Sequence, residues 1–325
     1  MTEAVSEVGG YVIRRQPADD LGPVFEVIRQ YELDEFGGTW MTKEDLEVAL
    51  SLMDPDRDTW LVEDPDGAVV ATAAVRVSQP LSMFAFVSLP SAHRGRGIGS
   101  ELLRLTEARA EEVAPSAPEG LRVVLRQAIG PENESARRLL EAHGYRYARR
   151  FWTMRIDLDE EPPPPEWPPA IRVAPLAAGE ERAVFDAMEE AFADHWGFVP
   201  FAFEEWRAWM IDRDGADPSL WRLAWDGDEL AAAALNRVRE DEGWVNVLGV
   251  RRPWRRQGLG LALLRESFRE FRRRGLPRAM LGVDSENPTG ATQLYERAGM
   301  RVERSADNFE KVLREGAEPT PTLPA

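Results

Sequence analysis

The feature that most limits what this chain can fold into is an internal repeat. Residues 94–99 read Arg-Gly-Arg-Gly-Ile-Gly, and residues 255–260 read Arg-Arg-Gln-Gly-Leu-Gly. Each stretch follows a strand-like run (MFAFVSL, WVNVLGV) and opens a helix-like one (SELLRLTEARAEEV, LALLRESFREFRRRG). Each is followed by a further strand (LRVVLR, AMLGVD) and by a helix that closes on glycine (NESARRLLEAHG, TGATQLYERAG). Upstream, both halves read as a strand, two amphipathic helices and three strands. The last loop glycine and the helix-closing glycine are 45 residues apart in the first half (99 to 144) and 39 in the second (260 to 299). Two copies of one α/β unit, differing in loop length, account for the pattern.

The stretch DEEPPPPEWPP at 159–169 divides the halves. Proline fixes φ and lacks an amide donor, so an extended, semi-rigid linker is expected there. The expected domains are 1–158 and 170–314. YRYARRFWTMRIDL closes the first with one or two strands, and a hairpin of MRVERS and NFEKVL closes the second. Residues 315–325 have no apolar periodicity and are expected to be disordered.

Composition narrows the function. The net charge is −17 and both halves are acidic, which argues against a general nucleic-acid binder. It is compatible with a cationic or amine substrate, or with solubility alone. There is no cysteine, hence no thiol nucleophile and no thiolate metal site. The histidines, His93, His143 and His195, are too scattered to pair as metal ligands. No run approaches the ~20 apolar residues of a membrane span. MTEAVSEVGG lacks the pattern of a signal peptide, so a cytoplasmic protein is expected, monomeric or dimeric.

The glycine loops carry the chemistry. Glycine lets backbone approach a ligand closely. The first amides of a helix lack internal partners, and the helix dipole is positive at that end. A strand, Arg-x-x-Gly-x-Gly and a helix together form a nest for phosphate, which flanking arginines reinforce. The plain alternative is a tight turn with solvated arginines. A dinucleotide fingerprint fits poorly, because the loop follows the fourth strand of its half rather than the first. No Gly-Lys-Ser/Thr occurs, which excludes a lysine phosphate loop.

The order of elements, the loop, Asn287 and Leu294-Tyr295-Glu296-Arg297-Ala298-Gly299 resemble the GCN5-related N-acetyltransferases over nearly the whole chain. Tandem copies with a weakened first half resemble mycothiol synthase and its relatives. The resemblance implies two tandem α/β domains, each a mixed, mostly antiparallel sheet flanked by helices. It implies acetyl-CoA as acyl donor and transfer of acetyl to the primary amine of a small molecule. Carried over, the pyrophosphate site is Arg255, Arg256, Gln257, Gly258, Leu259 and Gly260. Leu248, Gly249 and Val250 contact pantetheine, and Asn287 touches the cofactor arm or serves as a cap or turn residue. In the first half Arg94, Gly95, Arg96, Gly97, Ile98, Gly99 and Asn133 match the same pattern.

Acetyl transfer needs a proton for the departing thiolate. By the family pattern Tyr295 supplies it, although Leu294-Tyr295 also suits the apolar face of a helix. Aligned on the helix-closing glycines, Leu140 replaces Tyr295, so the first copy is expected to be catalytically degenerate. The strand position where many relatives carry a basic glutamate is Trp244. Glu242, which is also readable as a solvated turn residue, and Asn246 flank it as possible holders of a relaying water. The aromatic stretch AFADHWGFVPFAFEEWRAWM makes His195, Trp196, Trp244 and Asn246 candidates for the acceptor pocket, with core packing the competing reading. Two other functions compete: a non-catalytic acyl-CoA-binding or regulatory protein, and a protein N-acetyltransferase.

Overall fold

Continuous burial of the central strands and one-sided burial of the helices mark two units of one architecture. The computed structural model describes residues 4–16, 21–193, 195–200, 202–212, 215–287 and 289–318. In chain order the first half holds β1 (Ala4–Val8), β2 (Tyr11–Arg15), α1 (Leu21–Phe36), α2 (Lys43–Ser51), α3 (Pro55–Asp58), β3 (Thr59–Glu63), β4 (Val69–Arg76), β5 (Ser82–Ser88), α4 (Ile98–Val113), β6 (Val123–Ile129), α5 (Glu134–Ala142) and β7 (Arg146–Asp157). The second holds β8 (Ile171–Ala174), α6 (Glu181–Phe192), α7 (Phe203–Met210), β9 (Arg222–Asp226), β10 (Glu229–Arg239), β11 (Glu242–Val250), α8 (Leu259–Arg273), β12 (Arg278–Asp284), α9 (Ala291–Arg297) and β13 (Arg301–Arg314). The strand β1 has no counterpart in the sequence reading.

The compact units do not divide at the proline-rich segment. One comprises the described residues up to Arg150 together with those from Ser305 onward; the other is Phe151–Arg304. In the first unit the strands run β1-β2-β3-β4-β5-β6 and end on residues 305–314 of β13. In the second, residues 151–157 of β7 begin the order β7-β12-β11-β10-β9-β8. Each sheet is mixed and mostly antiparallel: β5–β6 and β11–β12 are parallel, and every other printed pairing is antiparallel. The halves have exchanged their closing strands.

Three expectations change with this. Arg301–Arg314 is one strand, not a hairpin. Asp307, between the two expected strands, is fully buried, and its carboxylate accepts from Arg137 Nη2 (2.8 Å) and Arg150 Nε (2.6 Å). The proline-rich segment is extended as expected, but it belongs to the second unit. Arg265 donates to Pro164 O (3.3 Å) and Arg269 to Pro162 O (3.0 Å), pinning it along α8. The segment expected to be disordered begins ordered. Ala317 N–H donates to Gly120 O and its carbonyl accepts from Arg122 N–H. Gly316 permits this, since a Cβ there would meet Leu121 backbone at 2.5 Å. Residues 319–325 lie outside the described residues.

Helices cover both faces of the second sheet. On β11, a Cβ at Gly243 would meet Phe271 of α8, whereas one at Gly249 would meet Met188 of α6. The change of face comes from a β-bulge. The β10–β11 register steps from Leu235↔Val247 to Asn236↔Val245, leaving Asn246 as the extra residue.

Candidate active site

The parallel ladder between β11 and β12 has two pairs only, Gly243↔Ala279 and Trp244↔Met280. Beyond them, past the bulge at Asn246, no pairing joins the two strands. A cavity of about 190 Å³ opens in the gap. Val245, Asn246, Val247 and Leu248 of β11 form one wall, and Leu281, Gly282, Val283 and Asp284 of β12 the other. Tyr295 of α9 lies at its side, and Phe192, the last residue of α6, lines it with His195 and Trp196 just beyond. Asn287 and Phe151 complete the lining.

The loop at 255–260 caps the adjacent helix. Gly258 is the N-cap of α8 at φ +87°, in the left-handed region that favours glycine. Gly260 serves packing: a Cβ there would come 2.9 Å from Leu294 of α9. Leu259 is buried in the core. Arg255 is turned inward, with Nε donating to Val250 O (3.2 Å) and Nη2 to Ala191 O (3.1 Å), so it ties the loop to β11 and α6. Arg256 is exposed and, unusually for a side-chain-bearing residue, holds φ +64°. Gln257 donates to Pro253 O (3.1 Å).

Tyr295 is buried, and burial alone pushes its phenol up to about 12. The hydroxyl is thus protonated across the neutral range. Asn287 is a turn residue rather than a cap: its Oδ1 accepts from Thr289 N–H (2.8 Å) and Oγ1 (2.5 Å), and the N-cap of α9 is Gly290. Leu248 lines the cavity. Gly249 serves the approach of α6, and Val250 packs with the apolar cluster around Leu259 and Leu263.

The acceptor-side candidates separate. His195 and Trp196 line the cavity, His195 with its ring 4.4 Å from that of Phe192. Asn246 lines it too, on the bulge. Trp244 and Glu242 do not. Trp244 stacks under Arg239 at 4.8 Å. Glu242 pairs with Arg278 (3.3 Å) at the hairpin end of β11, and burial pushes its carboxyl up. Within the aromatic stretch, Trp206 and Phe203 pack on Phe185 as core; Phe201 lies outside the described residues. Sequence reasoning missed Phe151, which arrives on the exchanged strand, and Phe192, Gly282 and Asp284. Asp284, the last residue of β12, carried the one legible signal, an acidic residue ending an apolar strand.

The first unit repeats the loop, beside a longer parallel ladder. Gly97 caps α4 at φ +84°, and Gly95 takes the place of Arg256 at φ +77°. Arg94 Nε donates to Leu89 O (3.3 Å), as Arg255 does to Val250. Gly99 again makes room for a leucine, Leu139 at 3.3 Å. Ile98 is buried and Arg96 is exposed, the latter bonding to Tyr11. The β5–β6 ladder, however, has four pairs, and β4–β5 runs without a bulge. Just past the end of β6 sits the carboxylate of Glu35 from α1, its side chain 2% exposed. It accepts from Arg94 Nη2 (2.8 Å), Gly130 N–H (2.8 Å) and Asn133 Nδ2 (2.8 Å). Leu140 stands where Tyr295 stands. Tyr145 N–H donates to Leu140 O and Met300 N–H to Tyr295 O, in matching caps closed by Gly144 and Gly299 at φ +85° and +92°.

Among the described residues, no helix is long and apolar enough to cross a membrane, and no group of three or more His, Asp or Glu could hold a metal.

A glycine-capped helix beside a mixed sheet in both units, with β11 and β12 parted around a cavity in the second, is an N-acetyltransferase architecture. The chain belongs to the Acetyltransferase (GNAT) family, whose profile matches residues 25–145 and 182–300. It is similar to a mycothiol acetyltransferase of Geodermatophilus obscurus, at 34% identity over 63% of this chain and 66% of that protein. It is also similar to one of Saccharopolyspora erythraea, at 30% identity over 75% and 82% of the two chains. The crystal structure of a GCN5-related N-acetyltransferase from Sphaerobacter thermophilus superposes with a TM-score of 0.85, at 33% identity, over 96% of this chain and 98% of that one. The protein is accordingly an acyltransferase of the GNAT type, a class that uses acyl-CoA donors.

Proposed function

We propose that the protein transfers acetyl from acetyl-CoA to the primary amine of a small molecule, and that the second unit alone does so. The observation that carries this reading is the cavity in the strand gap, with a protonated phenol on its wall and a glycine-capped helix beside it. The residues present fit the cofactor. Gly258 holds the left-handed conformation that presents the first amides of α8, and Arg256 keeps an exposed guanidinium next to them. The unpaired edge of β11 at 245–248 offers backbone to an extended arm.

Acetyl-CoA, when bound, supplies the thioester carbonyl that the amine attacks. Tyr295 holds a proton that burial keeps on the phenol oxygen, ready to be donated to a departing thiolate, while the proton shed by the attacking nitrogen goes to solvent. Asn287 fixes the turn between β12 and α9 and so positions Tyr295. Phe151, Phe192 and Trp196 give the acceptor side an aromatic lining.

The first unit is a degenerate copy. Glu35 supplies a carboxylate to the donors that would otherwise face the cofactor arm, and Leu140 has no proton to give. The names of the relatives favour a mycothiol precursor as acceptor. A screen of amines that includes cysteine-glucosamine-inositol, reading acetyl-CoA-dependent thiol release, tests the reading. Calorimetry giving one acetyl-CoA per chain supports it. Absence of acetyl-CoA binding overturns it.

A further inference from the structure

The acceptor side of the cavity joins Trp196, already a candidate from the sequence, to residues that sequence reasoning passed over. On β12, Leu281 and Val283 belong to the core cluster that contains Phe268 and Tyr295. Strand alternation turns Gly282 and Asp284 to the opposite face, that of α6 and the His195–Trp196 segment. A Cβ at Gly282 would meet nothing within 4 Å, so that face is open there. Asp284 pairs across the ladder with Phe151, and the Phe151 ring lies 6.2 Å from that of Trp196. Asp284 Oδ1 accepts from Glu286 N–H (2.9 Å), which fixes the carboxylate at the strand end. Among the described residues lining the cavity, Asp284 is the one carboxylate.

A carboxylate beside two aromatic rings is the chemistry that receives an ammonium group. The carboxylate contributes a charge-assisted hydrogen bond and the ring faces a cation–π attraction. We propose that Asp284, Phe151 and Trp196 form the seat for the acceptor's ammonium, and that this seat makes the enzyme prefer a cationic primary amine over a neutral isostere. The proposal rests on the acetyl-transfer reading above and specifies its acceptor side. Phe151 lies on the exchanged strand, so the first half of the chain supplies one wall of the seat in the second unit.

The test uses the full chain and two probes of equal shape, phenethylamine and phenethyl alcohol. Their binding is followed by ligand-observed NMR in the presence of CoA, with acetyl-CoA titrated separately by calorimetry. The expected result is at least a tenfold preference for the amine in the unmodified protein. Asp284→Asn should abolish that preference, and Asp284→Glu should restore most of it. Phe151→Leu should weaken the amine several-fold more than the alcohol. Acetyl-CoA affinity should stay within twofold throughout. Equal binding of the two probes to the unmodified protein, or an intact preference in Asp284→Asn, overturns the proposal. A parallel loss of acetyl-CoA and amine binding in Asp284→Asn also overturns it, since that marks a structural role. Failure of the unmodified protein to bind acetyl-CoA would instead overturn the acetyl-transfer reading, and calorimetry shows this independently of the probes.

Discussion

In both units a left-handed glycine caps the helix after the loop, an arginine Nε holds the end of the preceding strand, and a second glycine admits a leucine from the next helix. The units part company at the strands. In the first, the parallel ladder has four pairs, the β4–β5 register is regular, and the carboxylate of Glu35 is bonded to Gly130 just past β6. Two pairs and a bulge in the second leave a cavity, with Tyr295 where the first unit has Leu140. The loop is thus maintained by its own packing in a unit that has leucine in place of Tyr295. Arg-x-x-Gly-x-Gly reports on architecture; the gap beside it, and what stands in that gap, report on use.

The sharpest way to break this comparison is at the phenol. Tyr295→Phe should lower kcat by about 100-fold or more, with acetyl-CoA affinity nearly unchanged, while Leu140→Phe should leave kcat alone. Because the phenol loses its proton only as pH rises through about 12, any descending limb due to Tyr295 belongs at the alkaline extreme. A limb near pH 8 that Tyr295→Phe removes would contradict the assignment. Next in size is the buried carboxylate of the first unit. Glu35→Ala leaves Arg94 and two further donors without their acceptor and should cost about 2 kcal/mol in denaturant unfolding. Turnover should not change, and a variant that gains a second acetyl-CoA would show that Glu35 occupies a competent site.

Gly97→Ala and Gly258→Ala form a matched pair. Each forces a Cβ into the left-handed region and should cost about 1 kcal/mol of stability. Only Gly258→Ala should weaken acetyl-CoA, about tenfold by calorimetry; equal effects would mean both loops bind. The smallest effect belongs to Arg256→Gly, which copies Gly95 of the first unit. It should relieve strain worth about 1 kcal/mol or less and weaken acetyl-CoA a few-fold. A stabilised variant with unchanged affinity would remove Arg256 from the phosphate site.

Much of this contrast was legible in the sequence because it is local. The glycines impose φ values, the helix-closing glycine sets the register that aligns Leu140 with Tyr295, and strand and helix periods survive within single segments. The closing strands were misread because β7 and β13 are alike in polarity, and which sheet each joins is decided by partners some 150 residues away. The bulge at Asn246 is a property of pairing, not of composition. Glu35 reads as one more acid on an amphipathic helix until the fold brings Gly130 and Asn133 to it. Phe151 and Asp284 fall in the same class, joined only through a ladder that neither segment announces.

The exchange of closing strands also sets an order of events during synthesis. The β6 edge, Val-Val-Leu-Arg-Gln-Ala-Ile, takes its partner from residues 305–314. At ordinary ribosomal speed the intervening chain takes roughly 10–30 s to make. For that interval an apolar strand edge stands without its native neighbour, and β7, next in line and similar in character, is the nearest substitute. The first unit therefore cannot be finished when its own half has emerged. Its completion waits on the birth of the other.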